Sequence, residues 1–170
     1  RKLVASYAAQ TGLVRPVMRP KSTLSKKNTP EENAKKSQRL LLTWITEEPK
    51  LYQKIKPYIE ASDFTDTLYR DVADRLFADL EKGVYQPAAI VSAYEEEQEQ
   101  RTVAEIFNTK LEEITTPQER EKAFHDILYA VKKNSFEYYS SRMGADMNAI
   151  NQVISGKKAL EELSKTHISL

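Results

Sequence analysis

Residues 66–82 read DTLYRDVADRLFADLEK, and this stretch contains the clearest helical pattern in the sequence. Its apolar residues recur at positions i, i+3, i+4, i+7, i+8 and i+11, counted from Tyr69 to Leu80. This spacing places them along one face of an α-helix, while acidic and basic residues occupy the other face. Gly83 follows, and glycine is typical of a helix end. The stretch therefore predicts an amphipathic helix that buries one face.

The start of another helix is marked by Thr29-Pro30-Glu31-Glu32. Threonine can cap a helix, proline suits its first position, and Glu32 stands where a capping-box acid belongs. This helix is expected to stop before Pro49. Thr116-Pro117-Gln118-Glu119 repeats the signal and predicts a long helix that runs to about Met143.

The remaining helical patterns are shorter or interrupted. A helix is predicted over about 49–60, and Pro57 is expected to kink or split it. Gly144 separates the long helix from the last one. No stretch alternates with a period of two for long enough to form a strand, so the fold class is all-α. The other predicted helices cover about 2–10, 87–94, 98–108 and 147–165.

Charge and proline content divide the chain into three parts. Residues 1–30 hold seven basic residues, no acidic residue and three prolines, a composition typical of a linker. This segment is interpreted as a basic linker or the end of a preceding domain. Residues 31–135 are predicted to form a helical bundle, and residues 136–170 a C-terminal helical hairpin. The predicted core consists of Leu41, Leu42, Trp44, Ile45, Phe64, Tyr69, Val72, Leu76, Phe77, Phe124 and Leu128.

The composition leaves few residues for catalysis. The 170 residues include no cysteine and two histidines, and the formal net charge is +1. The absence of cysteine excludes disulfide scaffolds and thiol nucleophiles, and the balanced charge does not indicate a globally basic nucleic-acid-binding protein. No catalytic site, metal site or cofactor is predicted. No apolar run approaches the ~20 residues that span a bilayer, so no membrane contact is expected.

Three short patterns resemble functional motifs and are interpreted as structural. Glu121 and His125 lie one helical turn apart but lack the repeated partners of a carboxylate-bridged metal site, so His125 is expected at a helix surface or junction. The acidic run 95–99 lacks the turn glycine of a calcium loop and is expected to be a solvated loop or a helix start. Ser155-Gly156-Lys157-Lys158 lacks the first glycine of a phosphate loop and is expected inside a helix.

Two regions are candidates for contact with single-stranded nucleic acid. The basic segment 1–27 can follow a phosphate backbone, although a solvated linker explains the same composition. A second region mixes cations with aromatic rings that bases can stack on, although packing or protein contact explains it as well. Its residues are Lys132, Lys133, Phe136, Tyr138, Tyr139 and Arg142.

The last predicted helix carries an apolar stripe. A two-helix hairpin that stands off a bundle does not bury all of its apolar surface, so part of this stripe is expected to bind a partner helix or groove. The alternative is that the stripe packs wholly inside the bundle. The stripe consists of Ile150, Val153, Ile154, Leu160 and Leu163.

The order of these elements resembles the C-terminal helicase-binding domain of bacterial DNA primase. The residues that carry the resemblance are the run Arg39-Leu40-Leu41-Leu42-Thr43-Trp44-Ile45, then Pro49-x-Leu51, then Ile55, then Asp63-Phe64-Thr65-Asp66-x-x-Tyr69-Arg70-x-Val72-Ala73-x-x-Leu76. In that family a helical bundle leads through a long helix into a terminal hairpin. The resemblance covers about residues 35–170, and the stretch 1–18 is weakly similar to the connection from the polymerase core of primase.

The resemblance implies a binding module without a catalytic site. It would recruit primase, a DNA-templated RNA polymerase, to the hexameric replicative DNA helicase in the bacterial cytoplasm. The module alone is expected to be a monomer, and a carboxylate at Ile154 or Leu163 is expected to abolish binding while the bundle stays folded. Arg70 is expected to pair with Asp66 or Asp74. The predicted helicase-binding residues are Ile150, Val153, Ile154, Lys157, Leu160, Leu163 and Ile168.

Two other functions remain open. The N-terminal collar domain of the replicative helicase resembles the same bundle, but there the bundle begins near the N-terminus and an ATPase domain follows. Here a basic segment precedes the bundle and the chain stops after the hairpin, which favours primase. The third hypothesis is a helical nucleic-acid-binding domain that uses residues 1–27 and 132–142. A weak contact of the basic segment with single-stranded DNA is also compatible with the primase hypothesis.

Overall fold

The computed structural model of the chain describes residues 28–111 and 116–170. The helix predicted over residues 2–10, and almost all of the basic segment, lie outside these described residues. Within them the structure has seven α-helices and one short 3-10 turn, and no strand, so the all-α class is confirmed. The helices are α1 (Pro30–Glu47), α2 (Leu51–Ile55), α3 (Thr67–Glu81), α4 (Pro87–Ser92), α5 (Glu97–Asn108), α6 (Pro117–Ser140) and α7 (Met147–Lys165), and the 3-10 turn covers Ala61–Asp63.

The predicted helix starts are confirmed by their capping bonds. The backbone N–H of Glu32 donates to the Thr29 hydroxyl, and the Glu32 carboxylate accepts from the Thr29 backbone N–H. These reciprocal bonds form a capping box, which satisfies donors that the first helical turn leaves free. At the start of α6, the Thr116 hydroxyl accepts in the same way from the backbone N–H of Glu119.

Pro57 ends the second predicted helix early. Helix α2 stops at Ile55, and the chain continues through a turn to the 3-10 segment. Proline has no N–H to donate and its ring collides with the preceding turn, so the helix does not continue through it. Leu51, Ile55 and Ile59 nevertheless all reach the core, because the turn brings Ile59 back against it.

Every predicted core residue is buried. Trp44 of α1 meets Phe124 of α6 edge to face, with ring centroids 5.2 Å apart. Phe77 of α3 lies between Phe64 and Tyr52, at centroid distances of 5.9 and 4.9 Å. Aromatic pairs in such arrangements stabilise the fold beyond what the burial of their apolar area contributes. The core therefore joins α1, α2, α3 and α6 around a set of aromatic contacts.

Helix α6 is a bundle helix along its whole length. It packs against α1, and its second half is bonded to the 3-10 turn. The Lys132 ammonium lies 2.9 Å from a carboxylate oxygen of Asp63, Ser135 donates to the same carboxylate at 2.7 Å, and Tyr139 donates to the Ser62 carbonyl at 2.7 Å. The expectation that the hairpin stands away from the bundle is therefore wrong for α6. The predicted boundary between residues 135 and 136 falls inside this continuous helix.

Helix α7 runs back along α6 and completes the predicted hairpin. The chain beyond it returns to the bundle, because Ile168 is buried in the core and Lys54 donates to the Ser169 carbonyl. No helix among the described residues has both the length and the apolar content needed to cross a bilayer.

Candidate protein-docking surface

The first half of α7 exposes large apolar side chains. Within the described residues, five large hydrophobic side chains are exposed, and four of them lie between positions 143 and 154. Met143 is 42% exposed, Met147 78%, Ile150 37% and Ile154 65%. We call these four residues the outer stripe. Met147, Ile150 and Ile154 are three and four positions apart, which places them on one side of α7, and Met143 lies in the turn before the helix.

The packed face of α7 is built mostly from small residues. Ala149, Gly156 and Ala159 are buried, and Leu163 near the end of the helix is the large side chain that is buried with them. A β-carbon placed on Gly156 would lie 3.4 Å from Cδ2 of Phe136, so the two helices approach closely at that point. The motif-like sequence around Gly156 therefore lies inside a helix, as predicted, and the glycine contacts an aromatic ring.

The distribution of side-chain size on α7 is the reverse of what folding alone favours. Burying a Met or Ile side chain contributes about 1.5–3 kcal/mol, whereas burying alanine contributes far less. A stable monomer gains most by turning its large side chains inward. Contiguous exposed apolar residues mark surfaces that bind other molecules. The outer stripe is therefore the strongest candidate for a docking surface in the described part of the chain.

The predicted binding residues separate into two groups. Ile150, Ile154 and Lys157 are exposed, and Val153 and Leu160 are partly buried at the edge of the packed face. Leu163 and Ile168 are buried in the core and cannot contact a partner in this conformation. The prediction that these two residues belong to the docking surface is therefore wrong for this conformation.

The burial of Leu163 follows from helix geometry. It lies four and seven positions after Ala159 and Gly156, which places all three on the face that meets α6. The expectation that Leu163→Asp leaves the bundle folded does not fit this burial. Met143 and Met147 were missed in the sequence, although their spacing to Ile150 and Ile154 is a helical one.

Charged residues continue the exposed side of α7 beyond the outer stripe. Lys157 and Lys158 follow Ile154 by about one turn, and Glu161 and Glu162 come next. All four are exposed. The surface therefore changes from apolar to charged along the helix, which is the pattern of an apolar contact with a polar rim.

His125 lies at a junction between α6 and α7, as predicted. Its Nε2 is 2.6 Å from the Leu163 carbonyl oxygen. Glu121, one turn earlier, pairs with His167 at 2.7 Å and accepts from the backbone N–H of Leu170 at 3.3 Å. Both side chains fasten the end of the chain to α6. Among the described residues no three His, Asp or Glu side chains are grouped in a way that could hold a metal ion.

The acidic run at residues 95–99 is a helix start. Glu96 precedes α5, and Glu97 pairs with Arg101 one turn later at 2.6 Å. Carboxylates in the first turn interact favourably with the positive end of the helix dipole. The interpretation as a helix start is therefore confirmed.

Most of the cation and aromatic residues between 132 and 142 already have partners. Lys132 is buried with Asp63, Phe136 packs on Gly156, and the Arg142 guanidinium lies 3.6 Å above the Tyr138 ring. Burial also raises the pKa of Tyr139, whose hydroxyl is bonded to the backbone. A base-stacking platform needs free aromatic faces, so this region offers less to a nucleic acid than its sequence predicts.

Arg70 has a structural role that differs in its partner from the predicted one. Its Nε donates to the Phe64 carbonyl at 2.9 Å and not to Asp66 or Asp74. Asp66 instead caps α3, where it accepts from the backbone N–H of Tyr69. The arginine thus holds the loop that leads into α3.

Comparisons with protein-family models, curated proteins and solved structures give no match to this chain.

Proposed function

We propose that the chain is the helicase-interaction module of a bacterial DNA primase. The single observation that carries the proposal is the outer stripe, large apolar side chains turned away from the packed face of the terminal helix. The resemblance of residues 35–170 to that family names the partner. The module would act in the bacterial cytoplasm, at the replisome.

The mechanism we propose is helix docking. Met147, Ile150 and Ile154 lie on one side of α7 and would enter an apolar groove of the helicase. Full burial of an exposed side chain of this size contributes about 1.5–3 kcal/mol before the cost of association, and Ile150, which is only 37% exposed, contributes less. The polar rim around Lys157 and Lys158 would set the orientation. Primer synthesis itself would belong to other domains of the parent protein, and this chain would bring them to the fork.

The decisive experiment is size-exclusion chromatography with light scattering. The chain is run alone and together with a hexameric bacterial replicative helicase. We expect a monomer alone and co-elution in the mixture. Ile154→Asp is expected to abolish co-elution, because a carboxylate in the stripe would lose its hydration in the groove.

Ser155→Asp is the matched control. Ser155 is exposed on the same helix but lies beside the stripe, so the added charge is equal and the apolar contact is intact. Circular dichroism checks that both variants keep their helices. Equal loss of co-elution in both variants would contradict docking through the stripe. A chain that assembles into its own ring and ignores helicase would favour the collar domain of a helicase. A monomer that binds single-stranded DNA but no helicase would favour the nucleic-acid-binding function.

A further inference from the structure

An open groove lies between α2, the turn that follows it, and α3. Its volume is about 550 Å³. The floor is apolar and contains the contacting rings of Tyr52 and Phe77 together with Ile59. We call it the acidic groove, because carboxylates of Glu60, Asp74 and Glu81 line it.

The carboxylates at the rim of the acidic groove differ in whether they already have a bonding partner. Glu81 is engaged, since it accepts from the Tyr52 hydroxyl at 2.9 Å and pairs with Lys56 at 3.4 Å. Asp74 is exposed and has no hydrogen bond or ion pair within the described part of the chain. Three carboxylates face one ammonium group, so the groove has a net negative charge and favours a cationic occupant.

The same chain contains a segment of the opposite charge. Residues 15–21 read RPVMRPK, with Arg15, Arg19 and Lys21 as cations and no acid. Prolines at 16 and 20 disfavour a helix at the residues before them and favour an extended backbone. Extended proline-containing segments bind aromatic-lined grooves, because little conformational entropy remains to be lost. The apolar residues between the two arginines match an apolar floor.

The spacings of the charges agree. Asp74 and Glu81 are seven residues apart on α3, which is about 10 Å along a helix. Arg15 and Arg19 are four residues apart, which is about 12 Å in a polyproline-type backbone. Eight residues, 22–29, connect the segment to α1 and can span about 26 Å. Lys35 of α1 pairs with Asp66, which lies two turns before Asp74, so the first part of α1 lies beside the helix that carries Asp74 and Glu81.

We propose that residues 15–21 of this chain bind in the acidic groove. The contact is independent of helicase docking, since α7 contributes nothing to the groove. Exposed ion pairs are individually weak. A covalent connection of eight residues, however, gives an effective concentration in the millimolar range, so an intrinsic dissociation constant of that order is enough for occupancy. The basic segment would thereby be held against the bundle.

The test uses the full chain and its lack of cysteine. Because the chain contains no cysteine, Ser22→Cys provides a single thiol to which a nitroxide can be attached. The nitroxide lies directly after the binding segment and broadens amide signals near it. We expect the signals of Ala61, Asp74 and Ala78 to lose most of their intensity, and those of Glu161 and Lys165 on α7 to keep theirs. Equal broadening everywhere, or none at the groove, would overturn the proposal.

Charge reversal separates a specific contact from general attraction. Arg15→Glu with Arg19→Glu is expected to abolish the broadening at the groove, and Lys26→Glu with Lys27→Glu, an identical change of charge outside the segment, is expected to leave it. On the groove side, Asp74→Arg is expected to abolish it, and Asp126→Arg on α6 to leave it. If both members of either pair behave alike, the segment is attracted without being bound in the groove.

A mixing experiment identifies which copy supplies the segment. Spin-labelled chain without isotope enrichment is added to enriched chain without a label. The groove signals of the enriched chain are expected to stay sharp. If they broaden, the segment comes from a second copy and the intramolecular contact is overturned.

Discussion

Helices α3 and α7 have similar sequence patterns, but their apolar faces differ in burial. Each follows an aspartate cap, Asp66 or Asp146, and each carries an apolar stripe with helical spacing. In α3 the whole stripe from Tyr69 to Leu80 is buried. In α7 the small residues are buried and the large ones of its first half are exposed. An amphipathic pattern therefore identifies a helix but not the surface against which its apolar face packs.

The difference has a structural cause. Helix α3 lies against α2, the 3-10 turn and α4, and its aromatic residues fill the space between them. Helix α7 packs mainly along α6, and Leu163, near its end, is the residue of this helix that belongs to the central core. The buried residue of its first half is the small Ala149. The large side chains of that half, Met147, Ile150 and Ile154, are exposed.

The largest effect is expected where α6, the support of α7, is fixed to the bundle. Lys132→Ala leaves the Asp63 carboxylate buried without its cation, and we expect a loss of about 3–5 kcal/mol in the free energy of unfolding. Denaturant unfolding followed by circular dichroism measures it. Lys133→Ala, one position away and exposed, is the control and should stay within about 0.5 kcal/mol of the native chain. Equal midpoints for the two variants would show that this ion pair does not hold α6.

The next effect divides the two faces of α7. Leu163→Ala is expected to cost about 2–5 kcal/mol, because it opens a cavity in the core. Ile154→Ala on the outer stripe is expected to change stability by no more than about 0.5 kcal/mol. Both changes truncate an aliphatic side chain in the same helix, so denaturant unfolding compares them directly. A large loss for Ile154→Ala would mean that the outer stripe belongs to the core.

The sequence predicted the elements well and the surfaces less well. Caps and prolines are local signals, and they located the starts of α1 and α6 and the end of α2. The division of the α7 stripe into packed and exposed residues depends on which helix lies beside it, and no local pattern contains that information. Leu163 and Ile154 look equivalent in the sequence, and only the position of α6 distinguishes them.

The partners of the buried polar side chains also could not be predicted from the sequence. Asp63 and Lys132 lie 69 positions apart, and their ion pair closes the 3-10 turn against α6. In the sequence Lys132 belongs to a basic and aromatic cluster that suggests nucleic acid. A contact over such a separation forms because the fold brings the two residues together. The same holds for Arg70, whose partner is a backbone carbonyl that no pattern specifies.

A pH-dependent effect on stability is expected at Tyr52 of α2, which contacts Phe77 and Glu81 of α3. Burial, and then the hydrogen bond to Glu81, raise the pKa of Tyr52 from 10.0 to about 12. The folded state holds this proton more tightly than the unfolded chain, so the contribution to stability is complete below pH 10 and is lost as the pH rises to about 12. Tyr52→Phe is therefore expected to unfold with a weaker pH dependence in that window. Denaturant unfolding at several pH values measures this dependence. If the free energy of unfolding of Tyr52→Phe falls with pH as steeply as that of the native chain, Tyr52 is not the group responsible.

The smallest effect tests how closely α6 and α7 approach each other. Gly156→Ala adds a methyl group 3.4 Å from Cδ2 of Phe136, a distance of ordinary contact. Alanine is favoured over glycine in a helix by about 1 kcal/mol, so we expect a gain of about 0.5–1 kcal/mol in the free energy of unfolding. Gly156→Leu is expected to lose about 1–3 kcal/mol, because the larger side chain forces the helices apart. Alanine and leucine variants of equal stability would mean that α7 is free to move away from α6. The small residues on its packed face would then no longer explain why its large apolar side chains point outward.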